Sequence, residues 1–426
     1  MHFTPIQAQD TLTINLESAL NIALSDNPTI VIAGKNINIQ KQANAAAWEQ
    51  MFSLSATGQY SRSFIKQRMY INIPGMSAPD GIEVGYDNTY NFALTASLAL
   101  ISPALWKNIQ ITKTDIEIAT EAVRSSKITL ANEVKKAYYA AMLAEDSYGV
   151  LQQSYEVALK AYQNIEKMYE HGLVAEYDKI RADVSVKNIK PNLTQMQSST
   201  DLTKMMLKVL LSLPVDMPVK IEGKLDEMEK AMLDEVMPSN FDLSENTDLH
   251  TLDLNIKKLN QQKSLINTQR MPMLAAFGQF SPQTQGNDGL AFNEHHWNYP
   301  LAVGLQLQVP LWDIYAKQRQ VNQVKIGIEQ LQLQKDYVQQ NLSVQARNSV
   351  SKMMQAKEQL ESNKEAVLQA QKGLDITQVR YDSGSGTILE LNDAQMALVQ
   401  SKLNYTQAIY NFLIAKFDLE KLLGKE

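Results

Sequence analysis

The sequence predicts a mainly α chain with a small β part, internally duplicated, in which long helices carry four membrane-spanning strands. Three observations point there. The tetrapeptide GQYS at 58–61 returns as GQFS at 278–281, with matching landmarks in the same order around it. Two runs, 103–169 and 310–381, are almost free of Pro and Gly. Four short segments alternate apolar and polar side chains with the period of two that marks a strand.

The landmarks define the repeat. Ser25-Asp26-Asn27 precedes the first tetrapeptide and Ser244-Glu245-Asn246 the second. Behind them, NFALTASLALISP (91–103) matches NYPLAVGLQLQVP (298–310), with Asn, three Leu and Pro at the same offsets. Further on, Tyr169 and Gly172 fall opposite Tyr381 and Gly384. Four landmarks in one order are a duplication, and a repeat dictates the fold.

The expected organisation is an N-terminal segment, 1–15, and a first repeat, 16–212. That repeat holds a helix, strands at about 51–64 and 89–102, a long helix 103–169 and a return helix 174–212. A linker, 213–243, follows. The second repeat, 244–426, holds a helix, strands at about 272–282 and 297–309, a long helix 310–380 and a return helix 387–424.

The strands carry the membrane argument. Phe52, Leu54 and Tyr60, then Leu94, Leu98 and Leu100, then Leu301, Val303, Leu305 and Leu307 lie on apolar faces expected to meet lipid. Ser53, Ser55, Thr57 and Gln59 alternate with the first set. The third segment, Leu274 to Phe280, is less pure because Phe277 falls on its polar side. The segments approach the roughly 9–11 residues that a tilted strand needs to cross a bilayer. Aromatics gather at their ends: Trp48, Trp106 and Trp312 toward one rim, Tyr90, Phe92, Trp297 and Tyr299 toward the other. Two such belts mark a transmembrane barrel. A sandwich is the competing architecture, but no further strand set offers it a second apolar layer. Four strands cannot close a barrel, and an open edge in lipid costs several kcal/mol per unsatisfied group. The barrel must therefore be shared between chains, at least two of them.

The helices follow from punctuation. Each long run opens at a Pro, a favourable first helical residue, and at 1.5 Å per residue reaches about 100 Å. Leu391, Ala394, Leu398, Ser401, Tyr405, Ala408 and Phe412 step by three and four, a coiled-coil seam. Pro191 is expected to kink or break its helix. The linker, with three Pro and charges of both signs, reads as short helices and a strand outside the main bundle.

Composition excludes several classes. A net charge of −6 offers no basic stripe for nucleic acid. The absence of Cys removes disulfides, thiolate metal sites and a thiol nucleophile. No phosphate loop, HExxH or metal-spaced His cluster occurs, so no metal, cofactor or enzymatic activity is expected; His295-His296 reads as a solvated pair. The N-terminal MHFTPIQAQD fits either a plain start or the trimmed end of a signal segment.

HGLVAEYD (171–178), RYDSGSGTILELNDAQMAL (380–398) and the closing LEKLLG (419–424), set in this duplicated order, resemble the TolC-type outer-membrane efflux proteins. The resemblance covers nearly the whole chain. It implies a homotrimer with one twelve-stranded barrel in the outer membrane of a Gram-negative bacterium, continuous with an α-helical periplasmic tunnel. It implies an exit duct for efflux or type I secretion, coupled through a periplasmic adaptor to an inner-membrane pump. The adaptor would dock at the helix turns, Gly172-Leu173-Val174 and Gly384-Ser385-Gly386. Glu390 and Asp393 match the acidic constriction of the gate, and Asp178 and Tyr381 its locking contacts. A ring of such carboxylates favours cations and, crowded together, responds to pH. Where some members carry an Arg in the lock this chain has Gly386, which leaves Lys179 or Arg380 as replacements. A soluble or periplasmic coiled-coil adaptor or scaffold is the alternative, and would leave the amphipathic strands without purpose.

Overall fold

The computed structural model describes residues 12–70, 81–238, 240–289, 294, 296–311 and 314–425. Residues 1–11, His295 and Trp312 lie outside the described residues. The first half runs β1 (Leu12–Ile14), α1 (Leu16–Asp26), α2 (Pro28–Glu49), β2 (Phe52–Arg62), β3 (Gln67–Met69), β4 (Ile82–Val84), β5 (Asn88–Ile101), α3 (Pro103–Glu170) and α4 (Glu176–Leu210). Then come β6 (Val219–Ile221), a 3₁₀ turn (Leu225–Met228), α5 (Glu229–Asp234), α6 (Thr247–Thr268), β7 (Met273–Phe280), β8 (Gln283–Gly286), β9 (Leu301–Gln308), α7 (Ile314–Asp382) and α8 (Ile388–Leu422). The chain is mainly helical with a small sheet part. Among the described residues no helix is long and apolar enough to cross a membrane.

One compact unit comprises Ile37–Ile118 and Leu254–Gln332. Its sheet has the order β2-β5-β7-β9, every neighbour antiparallel, with β8 added beside β5. The register sorts side chains by chemistry. Phe52 faces Leu98, Ala56 faces Leu94, Leu94 faces Phe280, and Phe280 faces Leu301. On the other side Ser55 faces Thr95, Thr95 faces Gln279, and Gln279 faces Ala302. Leu100 falls at a register shift, and Ile101 takes the apolar position against Leu274. The apolar face is uncovered: Leu54, Leu301, Val303 and Leu305 are each at least 60% exposed.

Phe277, the impurity on the polar side, lies against Gly304, where an added Cβ would come within 3.0 Å of its ring. A missing side chain on β9 thus makes the room that the ring needs. Tyr60 packs on Tyr90, Phe92 on Trp297 and Phe280 on Tyr299, with ring centroids 4.9, 5.9 and 6.4 Å apart. The sheet has two edges. Among the described residues β2 pairs with β5 alone and β9 with β7 alone.

The other unit comprises Met1–Asn36, Ala119–Asp253 and Leu333–Glu426. Its core gathers Ile14, Val134, Leu207, Met353, Ile409 and Phe412, all at most 1% exposed. The stretch between α4 and α6 folds against this core. Its β6 pairs in parallel with β1. The Tyr138 hydroxyl donates to the Glu222 carbonyl at 2.6 Å, and the Asp146 carboxylate accepts the Leu225 N–H at 3.1 Å. The Glu229 carboxylate accepts from the Tyr405 hydroxyl and the Lys364 ammonium, both at 2.7 Å. Burial pushes the Tyr138 hydroxyl up to about 12, with Tyr139 and Glu222 adding to it.

Pro191 neither ends nor divides its helix, which runs unbroken from Glu176 to Leu210. The hydrogen bond that Pro removes would have been accepted by the carbonyl of Lys187. Both residues are exposed, so solvent can take the freed acceptor.

Burial raises Asp146 above the ordinary carboxylate range, and the Leu225 N–H only partly opposes it. Asp146 therefore contributes stability that is complete below the ordinary value and is lost as pH rises through the raised one. Asp146→Asn keeps an acceptor for Leu225 and removes the titration. Its melting temperature is expected to match or exceed wild type at neutral pH and to lose that part of the pH dependence. A variant markedly less stable at neutral pH, with the wild-type dependence intact, contradicts this.

Candidate gate at the helix turns

Two turns join the helix pairs α3–α4 and α7–α8. The first ends α3 with Gly172 in the left-handed region, φ +72°. Its N–H donates to the Tyr169 carbonyl and that of Leu173 to the Met168 carbonyl, both at 2.8 Å. The second repeats the device with Gly384 at φ +74°. Such a conformation is strained for any side chain and free for Gly, which is why each turn carries one. Leu173 stands 70% exposed beside the first Gly.

The second turn is wound around Arg380. Its carbonyl accepts the N–H groups of Ser385 and Gly386, both at 2.9 Å, and the hydroxyls of Ser383 and Ser385 at 3.0 and 3.1 Å. A Cβ on Gly386 would lie 3.0 Å from the Tyr381 nitrogen and 3.1 Å from the Arg380 Cβ. Any side chain at 386 would therefore press on the backbone of this turn, which suits Gly at the position. α8 then opens with a capping box: Thr387 Oγ1 accepts the Glu390 N–H at 3.3 Å, and Glu390 Oε2 accepts the Thr387 N–H at 3.1 Å. The T-x-x-E at 387–390 is a readable signal for this arrangement, and the sequence reading passed over it.

The predicted acids therefore differ in situation. Glu390 is committed to its own helix start, with the Arg380 guanidinium 3.8 Å away. Asp393 is exposed and lines a groove of about 680 Å³ with Arg181, Asn188 and Asn392.

Asp178 and Tyr381 are near each other. Burial raises the Tyr381 hydroxyl, and the charges of Asp178 and Asp382 raise it further. The ring packs with Ile165, Ala182, Ile388 and Leu391, a small cluster joining the two helix pairs. Of the two replacement cations, Lys179 pairs with Glu166 at 3.2 Å and sits over the Tyr169 ring at 5.4 Å. Hydrogen bonds from Tyr162 and Lys179 hold Glu166 below the ordinary carboxylate range. Arg380 serves the turn and Glu390. Each cation ties one helix pair to itself.

Thr387→Ala removes a cap worth about 1 kcal/mol, and Gly384→Ala forces a side chain into the left-handed region. Faster amide exchange in 383–391 is expected for both, with the helical core unchanged. Equal protection in wild type and both variants would mean that the cap and the turn do not hold this end together.

Residues 19–212 and 242–425 match the family of outer membrane efflux proteins. The outer membrane protein TolC of Escherichia coli strain K12 is 21% identical over 360 residues, which cover 79% of this chain and 70% of TolC. Among solved structures, the outer membrane protein VceC of Vibrio cholerae aligns over 96% of both chains, with TM-score 0.75 and 16% identity. The CmeC outer membrane channel of Campylobacter jejuni aligns over 96% of this chain and 85% of its own, with TM-score 0.74 and 14% identity. At these identities the structural likeness speaks for the fold, and the sequence match for descent. The chain belongs to the outer membrane efflux protein family, a family of channels and not of enzymes.

Proposed function

We propose that the protein is the outer-membrane exit duct of a tripartite efflux or type I secretion system in a Gram-negative bacterium. It acts as a homotrimer and conducts passively what an inner-membrane pump delivers through a periplasmic adaptor. The observation that carries this reading is the sheet, amphipathic on β2, β5 and β9, apolar on an uncovered face and, among the described residues, unpaired at both edges. Because β2 and β9 run in opposite directions, β9 of one copy beside β2 of the next continues the antiparallel alternation. Such a head-to-tail contact closes a ring when the rotation is right. Three copies supply twelve strands, above the roughly eight of the smallest membrane barrels. Exposed apolar side chains on the helices support contact between copies: Ile32 and Ile39 on α2, Leu333, Tyr337 and Val344 on α7. The two spans that match the family agree with a duplicated subunit, 16–212 and 244–426, about a linker at 213–243.

The lipid-facing set is the apolar face named above, and the Ser, Thr and Gln face lines the water-filled pore. The turns at Gly172-Leu173-Val174 and Gly384-Ser385-Gly386 receive the adaptor, with exposed Leu173 as an apolar anchor. Asp178 and Tyr381 hold the closed gate. Of the two acids, Asp393 sets the charge of the mouth and Glu390 mainly builds the turn. In planar bilayers Asp393→Asn is expected to lower cation-over-anion selectivity roughly fivefold, the equivalent of about 1 kcal/mol for a unit charge a few ångströms from an ion in water. Glu390→Gln, partly compensated by Arg380, should change it less. Selectivity that survives both substitutions refutes the acidic mouth while leaving the duct.

A further inference from the structure

Resting on the duct reading, we infer that Gln395 and Ser154 form a buried catch between the two helix pairs, and that its release lets the turns spread. Within each pair the helices are tied along their length. Thr200 Oγ1 donates to the Ala144 carbonyl at 3.1 Å, Lys204 pairs with Glu145 and Lys179 with Glu166, all joining α3 to α4. Asn363 Nδ2 donates to the Asn404 carbonyl at 3.1 Å and Arg380 faces Glu390, joining α7 to α8. Each pair is thus built to move as one stiff body.

Between the pairs, α3 and α8 run antiparallel and meet through two similar contacts. In the first, buried Asn132 Nδ2 donates to the Phe417 carbonyl at 2.7 Å. It is surrounded by support: Lys135 pairs with Glu420 at 3.0 Å, Lys136 with Asp418, and the Tyr139 ring stacks on Phe417 at 5.5 Å. In the second, roughly 30 Å along the helices toward the turns, Gln395 Nε2 donates to the Ser154 carbonyl at 3.0 Å and meets its hydroxyl at 3.4 Å. Gln395 and Ser154 are 9% and 8% exposed.

The second contact lacks that support: among the described residues no ion pair or ring stack between α3 and α8 accompanies it, and it lies outside the main apolar cluster. A groove of about 680 Å³ and a cavity of about 120 Å³ are both lined by Ser154, and the smaller also by Gln395. A contact without such support has less to hold it in one arrangement, and weakly packed regions are the ones that open. The groove is mainly apolar but includes the exposed Asn188, Asn192 and Gln195, which water reaches. Water can then take over the bonds that Gln395 gives up, so parting here costs little. Asn132 is the anchor about which the pairs turn, and Gln395 is the catch that holds them together.

The test is conductance of the reconstituted full-length trimer. Gln395→Leu keeps the volume and cannot donate; its open-state occupancy is expected to rise about three- to tenfold, the worth of one intramolecular hydrogen bond. In Gln395→Glu the neutral carboxyl can donate to the Ser154 carbonyl and the carboxylate cannot. That variant is expected to pass little current at acid pH and more as pH rises, a step that wild type lacks. The charged groups facing this point are Lys402 on the smaller cavity, and Asp393 and Arg181 on the groove. Asn132→Leu should lower the melting temperature without opening the pore. If Gln395→Leu does not assemble, the pH profile of Gln395→Glu decides the matter alone. Pores indistinguishable from wild type in the Gln395 variants overturn the catch and leave the duct standing. A wild type that assembles but never conducts overturns the duct, and the catch with it.

Discussion

An unpaired strand edge is tolerable in water and untenable in hydrocarbon, where each orphaned N–H or C=O costs several kcal/mol. Among the described residues this chain has two such edges, β2 and β9, on a sheet whose apolar face is uncovered. The apolar face calls for lipid, and lipid forbids the edges. Both demands are met together only if each edge is paired by another copy. On that reading the subunit is incomplete by construction, and the same hydrogen bonds that seal the barrel hold the assembly together.

The helices answer a different problem. Their contacts combine small apolar clusters with ion pairs such as Lys135–Glu420 and Lys179–Glu166, which fix which helix meets which. Partly exposed pairs of this kind add little stability, but they set register. Apolar packing is thickest around Phe412 and Ile409 and dwindles to the cluster of Ile165, Ala182, Ile388 and Leu391 beside the turns. A duct that opens at the turns needs stability distributed in this way, since moving elements are drawn from the weakly packed end.

Local signals in the sequence carry the secondary structure well. The alternation from Phe52 to Tyr60 is a strand because one face must be apolar and the other wet, and Pro103 opens α3 because it needs no helical donor. Pro191 does not break its helix, since an exposed carbonyl makes its lost bond cheap. What periodicity cannot express is pairing. The placement of β5 between β2 and β7, and of Phe277 over Gly304, is settled by partners far along the chain. In the candidate gate, the residue types were legible and their partners were not. Nothing in the spacing of Glu390 and Asp393 reveals that the first is bound to its own helix start, although Thr387 three residues earlier was a clue. Gln395 and Ser154 sit in plain helical sequence, with only their burial to distinguish them.

The central claim is that copies join edge to edge, β9 to β2. The chain has no Cys, so introduced pairs report only on each other. Within one chain β5 and β7 stand between those edges, and three strand spacings of about 4.8 Å put β2 some 14 Å from β9, beyond the roughly 7 Å reach of a disulfide. The decisive measurement is oxidation of membranes holding Ala302→Cys combined in turn with Ser53→Cys, Ser55→Cys and Thr57→Cys. A covalent ladder that stops at the trimer, strongest for one of the three partners, is the predicted result. Monomers at every position, from protein that is folded and in the membrane, would contradict the shared barrel.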